Sequence, residues 1–579
     1  MKLCSAATRR AWAMAGMFGL VLALIICPLP AFAQEGAPED AAATAADASD
    51  ADDGLTPLPD SPIEKAQKDG TALPLSLTEL TKLALQNNLD IAIQDTNEEL
   101  NQQRLQQAYG TYDPTLTSSL SYNSRKSPNT SAFDTSLSGD NTSKSASWSA
   151  SYRQSVKTGG TFQASWNNGR SDSNSSMNLF NPSYSSSMSF QFTQPLLRNL
   201  RIDSNRNSIK VAKLDMQTSD SQFRQQVTNT ISNIQTNYWS LVLAIRNYDI
   251  QRNSMRLAQI NLRDNKKKLA VGTVAPLEVT DAEATVAQRE VSVISAEEQI
   301  LQAENNLRQL VSSDRNSDIW NKVIVPTDQP DFKEYDVDED VAIETALRNR
   351  PELEQARITL ENYDLQLALY NNNRKWQVDL TGQFGTSGTA GPQSTSCTFD
   401  TTTGTSVCGN SIKPEMVGGF GTVNKTLFSQ GFINWQVGFS ISVPLRNRQL
   451  DAQIAQQNIQ KRRQLMTVRQ QEQSIQVEVK NALRTLESNR RQVEVAGIQR
   501  KASQERLDGQ EKRYTAGLVE NFRVLEAQEQ LSSAEYSELQ ALIRYKQAII
   551  TLQKAMYTLL EASEFEVAKG SASRVPDLK

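Results

Sequence analysis

Apolar residues recur in two long segments of the chain at spacings that alternate between three and four. The first run is Val227, Ile231, Ile234, Tyr238, Leu241, Ile245 and Tyr248, and the second is Ile475, Val479, Ala482, Leu486, Val493 and Ala496. A 3.5-residue apolar period over this length predicts long helices that pack along neighbouring helices. Because residues 205–271 and 450–515 contain no proline, each helix is predicted to be about 66 residues, or roughly 100 Å, long.

The sequence around the long helices repeats in the same order. Each half contains a similar short helical segment, at 84–91 and 346–353. Each half also has a proline followed by leucine after a strand, at Pro195 and Pro444, and a glycine turn after the long helix, at Gly272 and Gly517. A helix is predicted to return from each turn, over 276–311 and about 521–560. A repeat of this length predicts two structurally equivalent halves, a first repeat over 74–330 and a second over 331–562.

Alternating segments lie between the helices of each half. Apolar and small polar residues alternate at 116–122, 146–156, 162–166 and 188–192 in the first half, and at 376–384 and 433–443 in the second. This period of two predicts β-strands with one apolar and one polar face. The pattern fits a soluble sandwich, and it also fits a barrel that faces lipid outside and water inside.

The two ends of the chain differ in composition from the rest. Residues 1–33 predict a secretory signal peptide, with basic residues before an apolar stretch and the cleavage site Ala31-Phe32-Ala33. Residues 34–73 predict a disordered acidic leader, and residues 563–579 a C-terminal tail. Beyond the signal no stretch is long and apolar enough for a membrane helix, and the mean hydropathy is -0.50.

Charge and composition disfavour several classes of function. The signal holds three of the 60 basic residues and none of the 65 acidic ones, so the mature charge is -8, which disfavours nucleic acid as a partner. The chain has no histidine, the commonest general base and metal ligand. Cys397 and Cys408, in a Gly/Ser/Thr-rich segment, are the cysteines outside the signal. We therefore expect no enzyme, no cofactor and no metal site.

The order of elements resembles that of a known family. Duplicated units of short helix, strands, long helix, glycine turn and return helix, with Tyr514-x-x-Gly517 and Val524-Leu525-Glu526-Ala527 at the second turn, look like the TolC family of outer-membrane efflux proteins. The resemblance covers about residues 74–560. It implies a mostly α fold with membrane β-structure: a homotrimer whose strands close one shared β-barrel in the outer membrane, continued by a long α-helical barrel in the periplasm.

The resemblance also implies a function. Such a duct receives substrates from an inner-membrane transporter of the RND or ABC class through a periplasmic adaptor protein, in a tripartite efflux pump or a type I secretion system. It contacts outer-membrane lipid and carries out no chemistry of its own. The alternatives are a structural periplasmic coiled-coil protein without a channel and a secreted hydrolase. The first predicts no paired strands between the helices, and the second predicts a catalytic constellation.

Two sets of site residues follow from the resemblance. Adaptor contacts are expected at Val271, Gly272, Thr273, Ala516, Gly517 and Leu518. The glycines suit an ordinary helix C-cap equally well, and both roles are compatible. A periplasmic gate is expected at Glu278, Asp281, Tyr514, Arg523 and Glu526. Arg523 stands where the resemblance implies an acid, so it either pairs with a carboxylate to hold the gate closed or forms an ion pair of no consequence on a helix surface.

The number of strands departs from the resemblance. The alternating segments predict four strands in the first half and two in the second, whereas the resemblance implies four per subunit and twelve per trimer. The extra strands come from residues 145–167, with a turn at Lys157-Thr158-Gly159-Gly160. This segment is either an added hairpin inside a larger barrel or an excursion outside an ordinary one.

We predict that Cys397 and Cys408 are disulfide-bonded across a loop between the second-half strands, because disulfides form in exported proteins. Two free thiols are the alternative. Closing a loop of this size would stabilise the fold by up to about 3 kcal/mol. Thiol labelling of the denatured, unreduced mature protein should find no free cysteine, and labelling after reduction should find two. Two labelled thiols before reduction would refute the bond.

Overall fold

The computed structural model describes residues 57–128, 140–174, 178–392, 398–400, 405–407 and 413–563. The predicted signal peptide, Cys397 and Cys408, most of the predicted leader and all but the first residue of the predicted tail lie outside the described residues. The disulfide therefore stays a prediction.

The described part of the chain forms eleven α-helices. They are α1 (Pro62–Lys68), α2 (Leu77–Asn87), α3 (Leu89–Tyr109), α4 (Ser204–Ala270), α5 (Pro276–Val311), α6 (Glu339–Asn349), α7 (Pro351–Asn373), α8 (Phe420–Phe428), α9 (Arg448–Thr515), α10 (Asn521–Met556) and α11 (Leu559–Ala562). The predicted long helices are confirmed as α4 and α9, of 67 and 68 residues. The return helices α5 and α10 have 36 residues each.

The same part of the chain forms ten β-strands. They are β1 (Ala72–Leu75), β2 (Thr115–Pro128), β3 (Asp140–Ser155), β4 (Thr161–Ser173), β5 (Ser183–Pro195), β6 (Val323–Pro326), β7 (Gln377–Ala390), β8 (Thr398–Asp400), β9 (Thr405–Val407) and β10 (Phe432–Ser442). β1 and β6 pair in parallel, and β8 and β9 form a short antiparallel hairpin. The other six strands form one sheet.

The long helices are held by the apolar positions that predicted them. In α4 the side chains of Ile231, Ile234, Tyr238 and Leu241 are fully buried. Both α3 and α5 pack against α4, and both α7 and α10 pack against α9, so two shorter helices accompany each long one. Burying an isoleucine or leucine side chain contributes roughly 1.5–3 kcal/mol, and the apolar period supplies this repeatedly along the helix.

The six-stranded sheet is antiparallel throughout, in the order β10-β7-β5-β4-β3-β2. The four strands predicted in the first half and the two predicted in the second are all present in it. The extra segment forms β3 and β4, and these strands lie between β2 and β5. Its turn closes with hydrogen bonds from Val156 N–H to the Gly160 carbonyl, 2.8 Å, and from Gly159 N–H to the Val156 carbonyl, 2.9 Å.

The register of the sheet places apolar residues on one face across all six strands. One row of cross-strand partners runs through Leu116, Tyr152, Ala164, Phe190, Phe384 and Trp435. On the opposite face a neighbouring row runs through Thr117, Ser151, Ser165, Ser189, Gly385 and Asn434. Because side chains alternate between faces along every strand, the sheet has one largely apolar face and one face of small polar residues. Within the six described strands, the apolar face carries charged residues only at the end away from the helices, namely Lys126, Asp140, Lys144, Arg170 and Asp172.

Helix α8 covers part of the apolar face and was not predicted. Val423 and Leu427 of α8 are fully buried against the sheet, while Phe428 of the same helix is exposed. The Thr386 hydroxyl of β7 donates to the Leu427 carbonyl at 3.0 Å. Thr386 lies on the apolar face of the sheet, where α8 covers it. The hydrogen bond to the Leu427 carbonyl satisfies its hydroxyl group there.

A belt of contacts around the middle of α4 ties the parallel strands β1 and β6 to the helices. The Tyr238 hydroxyl donates to the Asp328 carboxylate at 2.7 Å and accepts from Asp328 N–H at 3.2 Å. Burial raises the pKa of the Tyr238 phenol above its usual range, so this hydroxyl stays protonated as a donor. In the second half, the Tyr545 hydroxyl accepts from Tyr335 N–H at 2.9 Å.

The prediction of a disordered leader over residues 34–73 is wrong for its last part. Residues 62–68 form α1, which begins with a capping box between Ser61 and Glu64, and Glu64 also pairs with Arg252 of α4 at 2.8 Å. Two reciprocal cap hydrogen bonds and a long-range ion pair order this segment although its composition is acidic and poor in apolar residues.

None of the described helices is both long and apolar enough to cross a membrane.

We expect Tyr238→Phe to loosen the contact between α4 and the parallel strands. Removing the hydroxyl leaves the partly buried Asp328 N–H without its partner, which costs about 1–3 kcal/mol, while the Asp328 carboxylate keeps the hydrogen bond from Leu77 N–H. Backbone amides of β1 and β6 should then exchange hydrogen faster. The reciprocal control is Tyr545→Phe, which should speed the exchange of the Tyr335 amide and leave β1 and β6 unchanged. Equal effects of both variants at both places would contradict the prediction.

Candidate functional site

Two helical turns hold the residues predicted to contact an adaptor. The turn between α4 and α5 contains Val271, Gly272 and Thr273, and the turn between α9 and α10 contains Ala516, Gly517 and Leu518. In the first turn, Thr273 N–H donates to the Lys268 carbonyl and Gly272 N–H to the Leu269 carbonyl, both at 2.9 Å. The second turn has the same two bonds, from Leu518 to Arg513 and from Gly517 to Tyr514. This pair of bonds is the Schellman motif that ends many helices.

Glycine is required in both turns by the backbone conformation. Gly272 has φ +77° and Gly517 has φ +74°, which is left-handed backbone. A Cβ atom added at either glycine would meet no other heavy atom within 4 Å. Space is therefore not the constraint, and conformational strain alone would oppose a larger residue. The C-cap role of these glycines is confirmed, and their contact with an adaptor stays a prediction.

The two turns expose large apolar side chains. Val271 and Leu277 in the first hairpin are 74% and 68% exposed, and Leu518 and Phe522 in the second are 75% and 67% exposed. Leu277 and Phe522 occupy the same position in the two return helices, the second residue of α5 and of α10. Apolar side chains clustered at the tip of a helical hairpin gain free energy when another surface covers them.

The predicted gate residues are not all brought together within one chain. Arg523 forms an ion pair with Glu526 at 3.1 Å, one turn along the same helix, and its side chain is 60% exposed. Glu278 and Asp281 are exposed near the start of α5. An exposed pair within one helix contributes roughly 0–1 kcal/mol. Within a single chain, the pair of Arg523 and Glu526 thus matches the alternative of an ordinary surface ion pair.

Tyr514 does connect the two hairpins. The ammonium group of Lys268, in the last turn of α4, donates to the Tyr514 hydroxyl in the last turn of α9. The same ammonium group lies 4.1 Å from the centre of the Tyr514 ring, close enough for a cation–π interaction. Tyr514 was predicted from the resemblance, whereas Lys268 was not.

Three asparagines that were not predicted form a second connection. Asn261 of α4 and Asn521 of α10 each donate their amide N–H to the other's carbonyl oxygen, at 2.9 and 2.7 Å. Asn265, one turn after Asn261, donates to the Asn261 carbonyl oxygen at 3.1 Å and is almost fully buried. The sequence signal that could have predicted this connection is the presence of asparagines at contact positions of packed helices, since such residues fix helix register.

A third connection joins α5 to α10. Arg289 pairs with Glu529 at 3.5 Å. Within the first hairpin, Lys266 of α4 pairs with Glu283 of α5 at 2.9 Å. These polar contacts between the two hairpins therefore involve asparagine, lysine, tyrosine, arginine and glutamate, and of the residues named here Tyr514 was predicted.

The polar face of the sheet is a second candidate functional surface. Serine hydroxyls meet across neighbouring strands at 2.7 Å in the pairs Ser119–Ser149, Ser121–Ser147 and Ser165–Ser189. One complete row of this face contains Thr115, Arg153, Gln163, Gln191, Gln383 and Gln436. Hydroxyl and amide groups donate and accept hydrogen bonds without fixed charge. Such a face suits contact with water.

The part of the chain that the structure describes contains no group of three or more Cys, Asp or Glu residues placed to hold a metal ion.

The model of the family described as outer membrane efflux protein matches residues 80–313 and 342–556, which is most of the chain. The chain belongs to this family. The resemblance to TolC-type channels is confirmed, and the chain is an efflux duct of the outer membrane. Its family is one of channels and not of enzymes, and a coiled-coil protein without a channel is not favoured.

Solved structures of outer-membrane channels resemble this efflux protein in fold. The CmeC outer membrane channel of Campylobacter jejuni is 17% identical, with a TM-score of 0.59 over 86% of this chain and 88% of that one. The outer membrane protein VceC of Vibrio cholerae is 14% identical, with a TM-score of 0.56 over 83% and 95%. The open state of the MtrE channel of Neisseria gonorrhoeae is 16% identical, with a TM-score of 0.55 over 83% and 89%. A comparison with curated proteins gives no match.

We expect Gly272→Ala and Gly517→Ala to loosen the turns of this efflux protein. Left-handed backbone costs an alanine about 1–2 kcal/mol, so the Thr273 and Leu518 amides, respectively, should exchange hydrogen roughly 5- to 30-fold faster. Gly509→Ala in α9 is the matched control. It also has open space around the added Cβ but lies inside a helix, where alanine is favoured over glycine. Similar exchange rates in all three variants would argue against strain at the turns.

Proposed function

We propose that three copies of this efflux protein form a homotrimer in the outer membrane. The six strands of each copy contribute to one shared barrel, with the apolar face toward lipid and the polar face toward a water-filled lumen. The long helices continue this barrel as a helical duct in the periplasm. The observation that carries the proposal is the division of the six-stranded sheet into one apolar and one polar face.

The edges of the sheet support assembly from several copies. β2 is one edge and β10 is the other, and neither has a further strand partner among the described residues. Leu120 on β2 is 81% exposed and Trp435 on β10 is 75% exposed. Unpaired backbone groups are not tolerated in the hydrocarbon core, and six strands are too few to close around water, since eight already fill their interior with side chains. Strands of further copies would satisfy both edges.

The helical turns support docking to a periplasmic adaptor. The exposed side chains of Val271, Leu277, Leu518 and Phe522 offer an apolar contact surface at the end of each hairpin, and the glycine turns let another backbone approach closely. The adaptor would connect the duct to an inner-membrane transporter of the RND or ABC class. The residues that carry this role in the proposal are Val271, Gly272, Thr273, Ala516, Gly517 and Leu518.

The same hairpins would form the periplasmic gate. In a trimer, Glu278 and Asp281 of each first hairpin come near Arg523 and Glu526 of second hairpins around one ring. The bonds Lys268–Tyr514 and Asn261–Asn521 hold the two hairpins of a chain together at this end. The two matched segments of the chain support two repeats, over 74–330 and 331–562, so that the ring contains six similar hairpins.

We expect Arg523→Glu to increase the conductance of the duct. The substitution replaces the pair with Glu526 by two like charges and makes a narrow ring of three chains more negative by six charges, two per chain, so repulsion there outweighs that of an exposed surface pair. The measurement is single-channel conductance in planar bilayers. The double variant Arg523→Glu with Glu526→Arg restores opposite charges and should return the conductance toward that of the wild type.

Arg491→Glu is the matched control for this experiment. Arg491 also pairs with a glutamate one turn away in its own helix, Glu487, and both side chains are exposed. It lies 24 residues before the end of α9, so the same charge change occurs away from the ring. Unchanged conductance in the Arg523 variants would remove Arg523 from the gate, and no conductance in the wild type under any voltage would argue against a duct.

A further inference from the structure

We infer that the barrel of this efflux protein has eighteen strands and a correspondingly wide lumen. The inference rests on the proposed trimer and adds the number of strands that each copy places in the membrane wall. Six strands per chain, in three chains, give eighteen, whereas the resemblance implies twelve. The difference is the hairpin of β3 and β4.

The hairpin is hydrogen-bonded into the sheet on both of its sides. β2 pairs with β3 over fourteen residue positions, from Thr115 with Arg153 to Pro128 with Asp140. β4 pairs with β5 over eleven positions, from Thr161 with Thr193 to Ser171 with Ser183. For β2 to pair directly with β5, both ladders would have to break. Each broken ladder would expose a row of backbone donors and acceptors.

The hairpin has the length and the faces of a membrane wall. β3 has 16 residues and β4 has 13, whereas about 9–11 suffice for a tilted strand to span the hydrocarbon core. The apolar part of this face ends before Lys144, Asn168 and Arg170, which lie at the end of the strands away from the helices. Trp148, Tyr152, Phe162 and Trp166 continue the apolar face. Ser149, Ser151 and Ser165 continue the polar face. An excursion into water would have no reason to place four aromatic residues on the side that faces lipid in the neighbouring strands.

The turn of the hairpin is anchored where the sheet joins α4. The Thr158 hydroxyl donates to the side-chain carbonyl of Gln194 at 2.8 Å, and the Gln194 amide donates back to the Thr158 carbonyl at 3.0 Å. Gly159 has φ +84° and no room for a Cβ atom, because the Asn199 backbone lies against it. The turn therefore packs against the segment that connects β5 to α4 and is held there by hydrogen bonds.

The consequence is a wide outer exit. Barrel diameter grows about linearly with strand number, so eighteen strands give a lumen roughly 1.5 times as wide as twelve. Hydroxyl and amide side chains line it, and in the six described strands its charged residues are Arg125, Arg153 and Asp379. The exit therefore suits bulky, hydrated cargo and selects little by charge, which leaves selection to the periplasmic end.

Fluorescence quenching by lipid tests the position of the hairpin. Single-tryptophan variants that keep Trp166 on β4, Trp435 on β10 or Trp239 in α4 are reconstituted in vesicles whose lipids carry brominated acyl chains. We expect the fluorescence of Trp166 to fall to the same fraction as that of Trp435, and the emission of Trp239 to stay unchanged. Quenching of Trp435 without quenching of Trp166 would overturn the eighteen-strand wall and leave the duct intact.

Cysteine cross-linking gives a second measurement that needs only two substitutions. Ser165→Cys with Ser189→Cys places thiols on β4 and β5, where the hydroxyls now meet at 2.7 Å. The matched control is Thr117→Cys with Ser189→Cys, in the same row of the sheet but separated by two strands. We expect the first pair to cross-link on oxidation and the second not to, by mass spectrometry of peptides. The reverse result would place β2 beside β5 and overturn the inference.

Light scattering of the detergent-solubilised protein tests the proposed trimer independently of the number of strands. Three chains per particle support the proposed trimer whatever the fate of the hairpin. Any other number of chains would overturn the trimer and, with it, the count of eighteen.

Discussion

The unpaired backbone at the two edges of the sheet is the constraint on which the rest of this molecule depends. The sheet carries an apolar face across all six strands, and β2 and β10 end it with open rows of donors and acceptors. In hydrocarbon each unpaired group costs several kcal/mol. In the proposed trimer, further copies of the chain would satisfy these groups with the same antiparallel geometry, because five successive antiparallel steps make β2 and β10 run in opposite directions. The strands would then bring the four helices to which they connect in each chain into a ring.

At the helical turns, the polar contacts differ in whether they join the two hairpins to each other. The ion pair of Arg523 and Glu526 lies within one helix, so it moves with that helix and does not bind one hairpin to the other. Asn261 and Asn521 belong to different hairpins, and their two hydrogen bonds must break when the hairpins separate. Leaving a buried amide unpaired costs about 1–3 kcal/mol, and the partly buried Asn261 and Asn521 would lose up to this amount. The amides of Asn261 and Asn521 thus oppose separation of the two hairpins directly, whereas the ion pair of Arg523 and Glu526, whose residues were predicted from the sequence, does not.

The sequence was sufficient for those elements whose cause is local. The apolar period and the absence of proline fixed α4 and α9 to within about two residues, and alternation identified all six strands of the sheet. Three features could not be predicted because each joins residues far apart in the chain. They are the parallel pairing of β1 with β6, the packing of α8 on the sheet and the contact of Asn261 with Asn521. α1 was missed for another reason: the acidic composition of its surroundings outweighed the capping box of Ser61 and Glu64. Of the site, the turns and Tyr514 came from the resemblance, but Lys268 and Asn521 needed the packed helices.

The hairpin of β3 and β4 starts and finishes at the same end of the sheet, and five residues connect its two strands. Adding or removing such a unit changes the number of strands by two, preserves the alternation of strand direction and leaves every helix attached to the strand it had before. In the proposed barrel, a single local insertion would therefore change the width of the lumen without changing the helical turns that are proposed to contact the adaptor. The two ends of such a duct could evolve separately.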